Sequence, residues 1–199
     1  MEELKQLCEN IKYLPASENP LSADVILIET PDFICVYDVG SSEKARSVIE
    51  NITKKKIVVL SHFHTDHTAN LSRITFDELY AGKETVRYTK AGMVVNQELC
   101  LSLLRIMPIP SVHAKGSVLL CYGEYAFCGD ACYCAAKNGR QFYNAQLLKA
   151  QIDLLGGLEV KYLALSHKEG LLCSKEEVVC ELKKIYATRK KDSSEIWLE

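Results

Sequence analysis

Apolar residues fall in short runs separated by polar and turn-forming residues, and the runs alternate little. Runs of this length bounded by turn signals read as strands buried on both faces or packed in a sandwich. Ala23 to Glu29 and Phe33 to Tyr37 flank Pro31-Asp32, which predicts an antiparallel hairpin. Glu43 to Ile52 carries Ala45, Val48, Ile49 and Ile52 on one side and predicts a helix. Ile57 to Leu60 is the next strand. Before all of these, Leu4, Leu7, Cys8 and Ile11 stand at helical spacing and predict a short helix over residues 1–12, closed off by Pro15 and Pro20.

Further along, Thr68 to Ile74 predicts a short helix, Glu78 to Ala81 a strand, Glu84 to Met93 a helix and Leu101 to Met107 a strand. Pro108 and Pro110 make the following link extended. Ser117 to Tyr122 and Tyr125 to Cys128 flank Gly123-Glu124, a two-residue hairpin signal. A helix is expected from Phe142 to Leu155, stopped by Gly156-Gly157, and a strand from Val160 to Leu165. Ser174 and Glu177 form a capping box for a last helix carrying Val178, Val179, Leu182, Ile185 and Tyr186. No solenoid repeat and no low-complexity segment appears. The pattern predicts one α/β sandwich domain over residues 1–199, with helices on the outside.

Ser61-His62-Phe63-His64-Thr65-Asp66-His67 is hard to explain by packing. It sets four potential metal ligands just past a strand end. The chain has five histidines; the other two are His113, after the proline link, and His167, at the end of a strand. Asp38 and Asp130 also stand at strand ends beside glycines. Polar residues at the ends of apolar strands gather at one rim of a sheet, where loops carry function. Imidazole and carboxylate together suit zinc, iron or manganese, and a closed structural zinc site would be richer in cysteine.

Composition narrows the classes. The apolar share is 48%, the charged share 25% and the formal net charge −2, values of an ordinary globular protein. The clusters Lys54-Lys55-Lys56 and Arg189-Lys190-Lys191 are short and read as solvated, so a dedicated nucleic-acid binder is not expected. The start Met1-Glu2-Glu3-Leu4-Lys5-Gln6 has no signal-peptide core and no run spans a bilayer, which predicts a cytoplasmic protein without a membrane partner. Nine cysteines without a secretion signal are expected to be free thiols. Cys128, Cys132 and Cys134 are read as alternation past a strand end rather than as another metal site.

His62-x-His64-x-Asp66-His67, His113 before Gly116-Ser117, Gly129-Asp130 and Ser166-His167 follow one another in the order of a known pattern. The chain resembles the metallo-β-lactamase superfamily over roughly residues 23 to 170. The resemblance implies a four-layer αββα sandwich, two mostly antiparallel sheets with outer helices, and a two-metal site at one edge. It implies that His62, His64 and His113 hold one metal, that Asp66, His67 and His167 hold the other, and that Asp130 bridges them. Asp38 matches the Asp that supports the ligand loop from behind.

Val112-His113-Ala114 stands where the superfamily often has Gly-His-Thr, and Ser166-His167 where Gly-His is usual; neither change removes a ligand. True β-lactamases often replace a ligand of the second site, so the intact set resembles the glyoxalase-II, lactonase and phosphodiesterase branches more. Glyoxalase II carries an added helical domain, and here only one helix is expected after His167. Diiron reductases of the superfamily commonly have Glu where this chain has His64.

The chemistry implied is a dinuclear metal-dependent hydrolase, with two divalent ions (zinc first, manganese or iron as alternatives) sharing a hydroxide that attacks an ester, thioester, lactone or amide. Asp66 and His167 are the candidate catalytic residues among the ligands. Tyr133, Lys137, Arg140 and Tyr143, which follow Asp130, and Lys168 beside His167 are candidate contacts for a small-molecule substrate. The rivals are a phosphodiesterase or nuclease on the same site, a mononuclear-iron dioxygenase, and a non-catalytic metal-binding scaffold. Fold alone does not choose among them.

Overall fold

Two stacked sheets carry the chain in a computed structural model that describes residues 4–198. The first has seven strands in the spatial order Lys5–Cys8, Ile11–Leu14, Val25–Glu29, Ile34–Tyr37, Lys56–Leu60, Glu78–Ala81, Met93–Val94. Its first four strands pair antiparallel and its last four parallel. The second has six strands in the order Leu99–Leu101, Leu104–Pro108, Val118–Tyr122, Tyr125–Gly129, Tyr162–Leu165, Leu172–Ser174. Only Tyr125–Gly129 and Tyr162–Leu165 run parallel there. A small third sheet joins Ala135–Lys137, Arg140–Asn144 and Glu195–Trp197, and Ser17–Glu18 pairs with Leu21–Ser22.

Three apolar layers explain why the strands alternate so little. Between the sheets lie Ile26, Ile28, Cys35, Tyr37, Ile57 and Val59 from one, against Ile106, Val118, Leu120, Phe127 and Ala164 from the other. Their sequence neighbours Val25, Val36, Val58 and Leu60 point the other way, onto Ala45 and Ile49 of helix α1 (Glu43–Glu50). On the far side of the second sheet, Leu119, Cys121, Cys128, Leu163 and Leu165 pack with Leu148, Ile152, Leu155, Val179 and Leu182. Each side chain obeys the period of two, yet both faces meet apolar partners. The result is the four-layer αββα sandwich.

The helices between and after the strands are α2 (Thr65–Thr68) with a 3-10 turn over Ala69–Arg73, α3 (Lys83–Thr89), α4 (Ala145–Gly157) and α5 (Lys175–Ala187). Ser174 caps α5 through its hydroxyl, which accepts from Glu177 N–H. No helix among the described residues is long and apolar enough to cross a membrane. All nine cysteines are free.

Several elements differ from the sequence expectation. The helix expected over residues 1–12, of which 1–3 lie outside the described residues, gives way to a hairpin of Lys5–Cys8 with Ile11–Leu14. Ile11–Leu14 is drawn into the sheet by Ile28, Leu27, Ile26 and Val25, which pair with it residue by residue. The strand expected from Leu101 to Met107 is broken into Leu99–Leu101 and Leu104–Pro108, turning at Ser102, which sits at φ 55°. The helix expected from Phe142 starts only at Ala145, because Arg140–Asn144 is claimed by Glu195–Trp197. The helix expected over Glu84 to Met93 ends at Thr89, and Met93–Val94 becomes an edge strand. The first turn expected at Thr68 begins earlier, at Thr65, and includes Asp66 and His67.

Parallel pairing sets the rim. Ile34–Tyr37 and Lys56–Leu60 end side by side, so Asp38 and Ser61 emerge together. Tyr125–Gly129 and Tyr162–Leu165 do the same for Asp130 and Ser166. Val118 N–H donates to Ser61 O at 2.9 Å and Tyr37 Oη–H to Val118 O at 3.0 Å, tying the two sheets at that edge.

Candidate metal centre

The seven residues expected as ligands converge at this rim. His62 follows the strand Lys56–Leu60, and His64 is the residue before α2. Asp66 and His67 lie within α2. His113 comes from the loop after Leu104–Pro108, while Asp130 and His167 follow their parallel strands. Among the described residues two groups could hold a metal ion: His62, His64, His113 and Asp130 in one, Asp66, His67, Asp130 and His167 in the other. Within each group one ligand atom per residue lies within 4.8 Å of all the others, and Asp130 belongs to both.

Hydrogen bonds behind the rings turn the inward nitrogens to a common space. Asp38 accepts from Ser61 N–H at 2.7 Å, from Ser61 Oγ–H at 2.7 Å and from His67 Nδ1–H at 2.7 Å. Ser61 Oγ, having given its proton to Asp38, accepts from His62 Nδ1–H at 2.9 Å. His113 Nδ1–H donates to Cys134 O at 3.3 Å. These bonds fix the tautomers, leaving Nε2 of His62, His67 and His113 to face inward. His64 differs, facing His113 Nε2 with its Nδ1 at 3.2 Å.

Inside, partners are missing. His62 Nε2, His67 Nε2 and Asp130 Oδ1 are buried without a hydrogen bond. His67 Nε2 stands 3.4 Å from both Asp66 Oδ2 and Asp130 Oδ2, near enough for Coulomb attraction but not bonded. Buried polar atoms are rarely left so, and three converging on one space call for a cation. The donor set of imidazole and carboxylate fits a divalent metal ion.

Without a cation, the charges sort themselves among the side chains. Burial pushes His62 down to about 2, helped by neighbouring His67. Burial also works against His67, but the charges of Asp38 and Asp130 and the bond to Asp38 outweigh it and lift His67 to about 10. Burial, then His113, holds His64 below its ordinary value. Burial would raise Asp130, yet His113 and His67 draw it well below the usual carboxylate range. Asp66 is likewise held low by His167 against the effect of burial, and its bond raises His167 in turn.

Close backbone approach is needed here. Gly129 has φ +53°, and a Cβ on it would stand 2.6 Å from Ser61 Cβ and Oγ. Asp38 and His167 also take positive φ, 59° and 62°, without being glycine. Such residues cost about 1–3 kcal/mol each and persist where surrounding bonds determine them.

The expected substrate contacts are scattered. Tyr133 places its ring centroid 6.4 Å from that of His113 and donates its hydroxyl to Ser166 O at 2.6 Å. Lys168 lines a cleft of about 430 Å³ together with Tyr13, Pro15, Leu21, Asp24 and His167. Lys137 is engaged by Glu195 and Arg140 stacks over Trp197, both on the small third sheet. Tyr143 is buried in the core of the second sheet, with its hydroxyl donating to Cys132 O at 2.9 Å. A larger cleft of about 660 Å³, between α4 and residues 186–193, contains none of the seven ligands.

Two residues of the rim were not singled out from the sequence. Ser61 is the relay between Asp38 and His62, and Asp24 is a buried carboxylate bonded to Ser166 and His167. The sequence puts Asp24 inside the strand expected from Ala23 to Glu29, which in the structure begins only at Val25, and its partners lie 142 and 143 residues away, so no local signal marked it.

No family profile and no curated protein matches the chain. Solved structures do. DIM-1 metallo-beta-lactamase superposes with a TM-score of 0.70 at 14% identity, covering 94% of this chain and 97% of the other. The metallo-beta-lactamase FIM-1 from Pseudomonas aeruginosa, in its mono-zinc form, gives 0.67 at 15% identity, over 92% of this chain and 94% of its own. The chemotaxis sensor ODP, seen with a peroxy diiron species, gives 0.69 at 14% identity over 94% and 95%. The chain has the metallo-β-lactamase fold, and its His/Asp cluster is suited to a metal ion.

Proposed function

We propose that the protein is a dinuclear metal-dependent hydrolase that cleaves an ester, thioester, lactone or amide bond in a small molecule. One observation carries the reading: two four-ligand groups meet at Asp130, each with buried inward atoms that have no partner in the protein. His62, His64 and His113 would hold one ion and Asp66, His67 and His167 the other, with Asp130 common to both. Zinc leads, because the set is rich in imidazole, with manganese and iron as the alternatives. When bound, such ions supply a water acidified toward neutrality and a Lewis acid for the carbonyl oxygen.

The chain's own residues do the rest. Ser61 and Asp38 hold the rings of His62 and His67 in one tautomer and orientation. Asp66 Oδ2, ionised and part-exposed, is placed to receive the proton that water gives up as it adds to the carbonyl. His167 Nε2 stands 2.9 Å from that same oxygen in the metal-free protein, a contact that would give way as both side chains turned to the second ion. The cleft beside His167 has the size of a small-molecule site, with Lys168 at its edge and Tyr133 against His113 as the candidate substrate contacts. Nine free thiols fit a reducing compartment and support a cytoplasmic location. The net charge of −2 weighs against a dedicated nucleic-acid binder.

The test is turnover of chromogenic carboxyl esters, thioesters and lactones by zinc- or manganese-loaded protein, beside phosphodiesters and the His64→Ala variant. Carbonyl substrates cleaved, and not by His64→Ala, support the reading. Cleavage of phosphodiesters alone would transfer the site to phosphorus chemistry. Because the diiron sensor shares the fold, retained iron with oxygen consumption and no hydrolysis would replace the hydrolase reading with a redox one.

A further inference from the structure

We infer that Asp24 is a positioning residue for the second ligand group, acting on His167 through its backbone, together with Tyr133. The inference rests on the reading of the seven residues as a metal centre.

The supports of the ligands are unequal. His62, His67 and His113 are each steadied through the ring, by Ser61, Asp38 and the Cys134 carbonyl. His167 has no hydrogen bond to its Nδ1 among the described residues, and its Nε2 faces Asp66. Its side chain is 25% exposed, against 0% for His67. It also adopts φ 62°, a conformation that a residue with a Cβ rarely takes. Apart from Asp66, itself one of the seven expected ligands, what holds this ring in place is the peptide that carries it.

That peptide is gripped from both sides. Asp24 is 5% exposed. Its Oδ2 accepts from His167 N–H at 3.0 Å and from Ser166 Oγ–H at 3.1 Å, and its Oδ1 accepts from Ala16 N–H at 3.0 Å. Ser166 Oγ accepts in turn from Asp24 N–H at 3.2 Å. From the other side, Tyr133 donates to Ser166 O at 2.6 Å. Burial raises the Asp24 carboxyl, and the donors around it work against that rise. Two of the three groups that donate to this buried carboxylate belong to the loop that carries His167, so its cost of burial is met chiefly by fixing that loop. Asp24 stands to His167 as Asp38 stands to His67, with the contact made to the main chain instead of the ring.

The test is titration of the metal-free protein with Zn²⁺, followed by the ¹⁵N signals of the five histidine rings and by total zinc per chain. In Asp24→Ala the second ion is expected to bind about 10–100-fold more weakly, the range for loss of a ligand's supporting partner. The His167 ring then fails to shift at one equivalent per group, while His62, His64 and His113 shift as in the wild type. Asp24→Asn is expected to recover part of the affinity, since its amide oxygen can accept from His167 N–H, while its NH2, set against the Ala16 N–H, loses the bond made there. Tyr133→Phe, which loses one bond and no volume in the core, is expected to weaken the same ion several-fold, and it decides the matter if Asp24→Ala does not fold. Both ions bound as tightly as in the wild type in Asp24→Ala, or in Tyr133→Phe where that variant decides, would overturn the inference. So would equal loss of both ions from a folded variant. A wild type that binds no second ion overturns the two-ion reading itself, and this inference with it.

Discussion

His67 gives its Nδ1 proton to Asp38 at 2.7 Å, in a pair whose side chains are 0% and 1% exposed. Asp38 also takes both the amide and the hydroxyl proton of Ser61, which in turn orients His62. One carboxylate therefore sets a ring in each ligand group. Asp38→Ala is expected to cost about 3–5 kcal/mol, as breaking a buried pair does, and to weaken both ions about 10–100-fold. Urea unfolding of the metal-free protein and zinc titration measure the two effects. Wild-type affinity for both ions in Asp38→Ala would show that the ligand loop stands without it.

Gly129→Ala is predicted to damage the site out of proportion to its size. The added Cβ would meet Ser61 at 2.6 Å, and φ +53° already disfavours a side chain. The loss should exceed about 1 kcal/mol, above the usual effect of a glycine replaced where its conformation is incompatible. The histidine signals of His62 should move in this variant, because Ser61 is what yields. An unshifted melting temperature would mean that Ser61 has room to retreat.

The metal-free protein should be most stable near pH 6.5 as far as these histidines decide. His62 is depressed in the fold to about 2, so the unfolded chain binds its proton first, and stability is lost as pH falls below about 6.5. His67 is raised to about 10, so its contribution is full below about 6.5 and is lost as pH rises through 10. Denaturant midpoints of chelator-treated protein at pH 5, 6.5 and 9 check this. A midpoint that rises steadily across the range would contradict it.

Asn144→Ala is expected to destabilise α4 by about 1 kcal/mol, since the Asn144 side chain accepts from the N–H groups of both Gln146 and Leu147. Asn144 bonds none of the ligands, and the helix meets their loops further along, at Gln151, which donates to Pro110 O and Ala131 O, so zinc affinity should stay nearly unchanged. A loss of affinity would show coupling between that core and the rim.

Local chemistry made the rim legible. His62 to His67 lie together in the chain, and Asp38, Asp130 and His167 each follow an apolar run, so these residues stood out as candidates, and the resemblance then ordered the candidate ligands into two groups. The hairpin of Val118–Tyr122 with Tyr125–Gly129 and the Ser174 cap were legible for the same reason, their signals being local. What could not be read depends on distant partners. Leu7, Cys8 and Ile11 suit a helix equally well until Val25–Glu29 offers an edge to pair with. Phe142 suits a helix until Trp197 claims it for a strand. Ser102 makes its turn at positive φ without glycine or asparagine to announce it. Asp24 belongs to the same class, because its meaning lies in Ser166 and His167.

A hydrolase whose two ions share Asp130 would need both of them for turnover. The most direct measurement is hydrolysis of a carboxyl-ester, thioester or lactone substrate as zinc is added back to metal-free protein, with bound zinc counted at each point. Activity is expected to climb to a plateau at two ions per chain and to be absent in Asp130→Ala. Full activity at one ion, or a fully loaded protein that turns over none of these substrates, would contradict it.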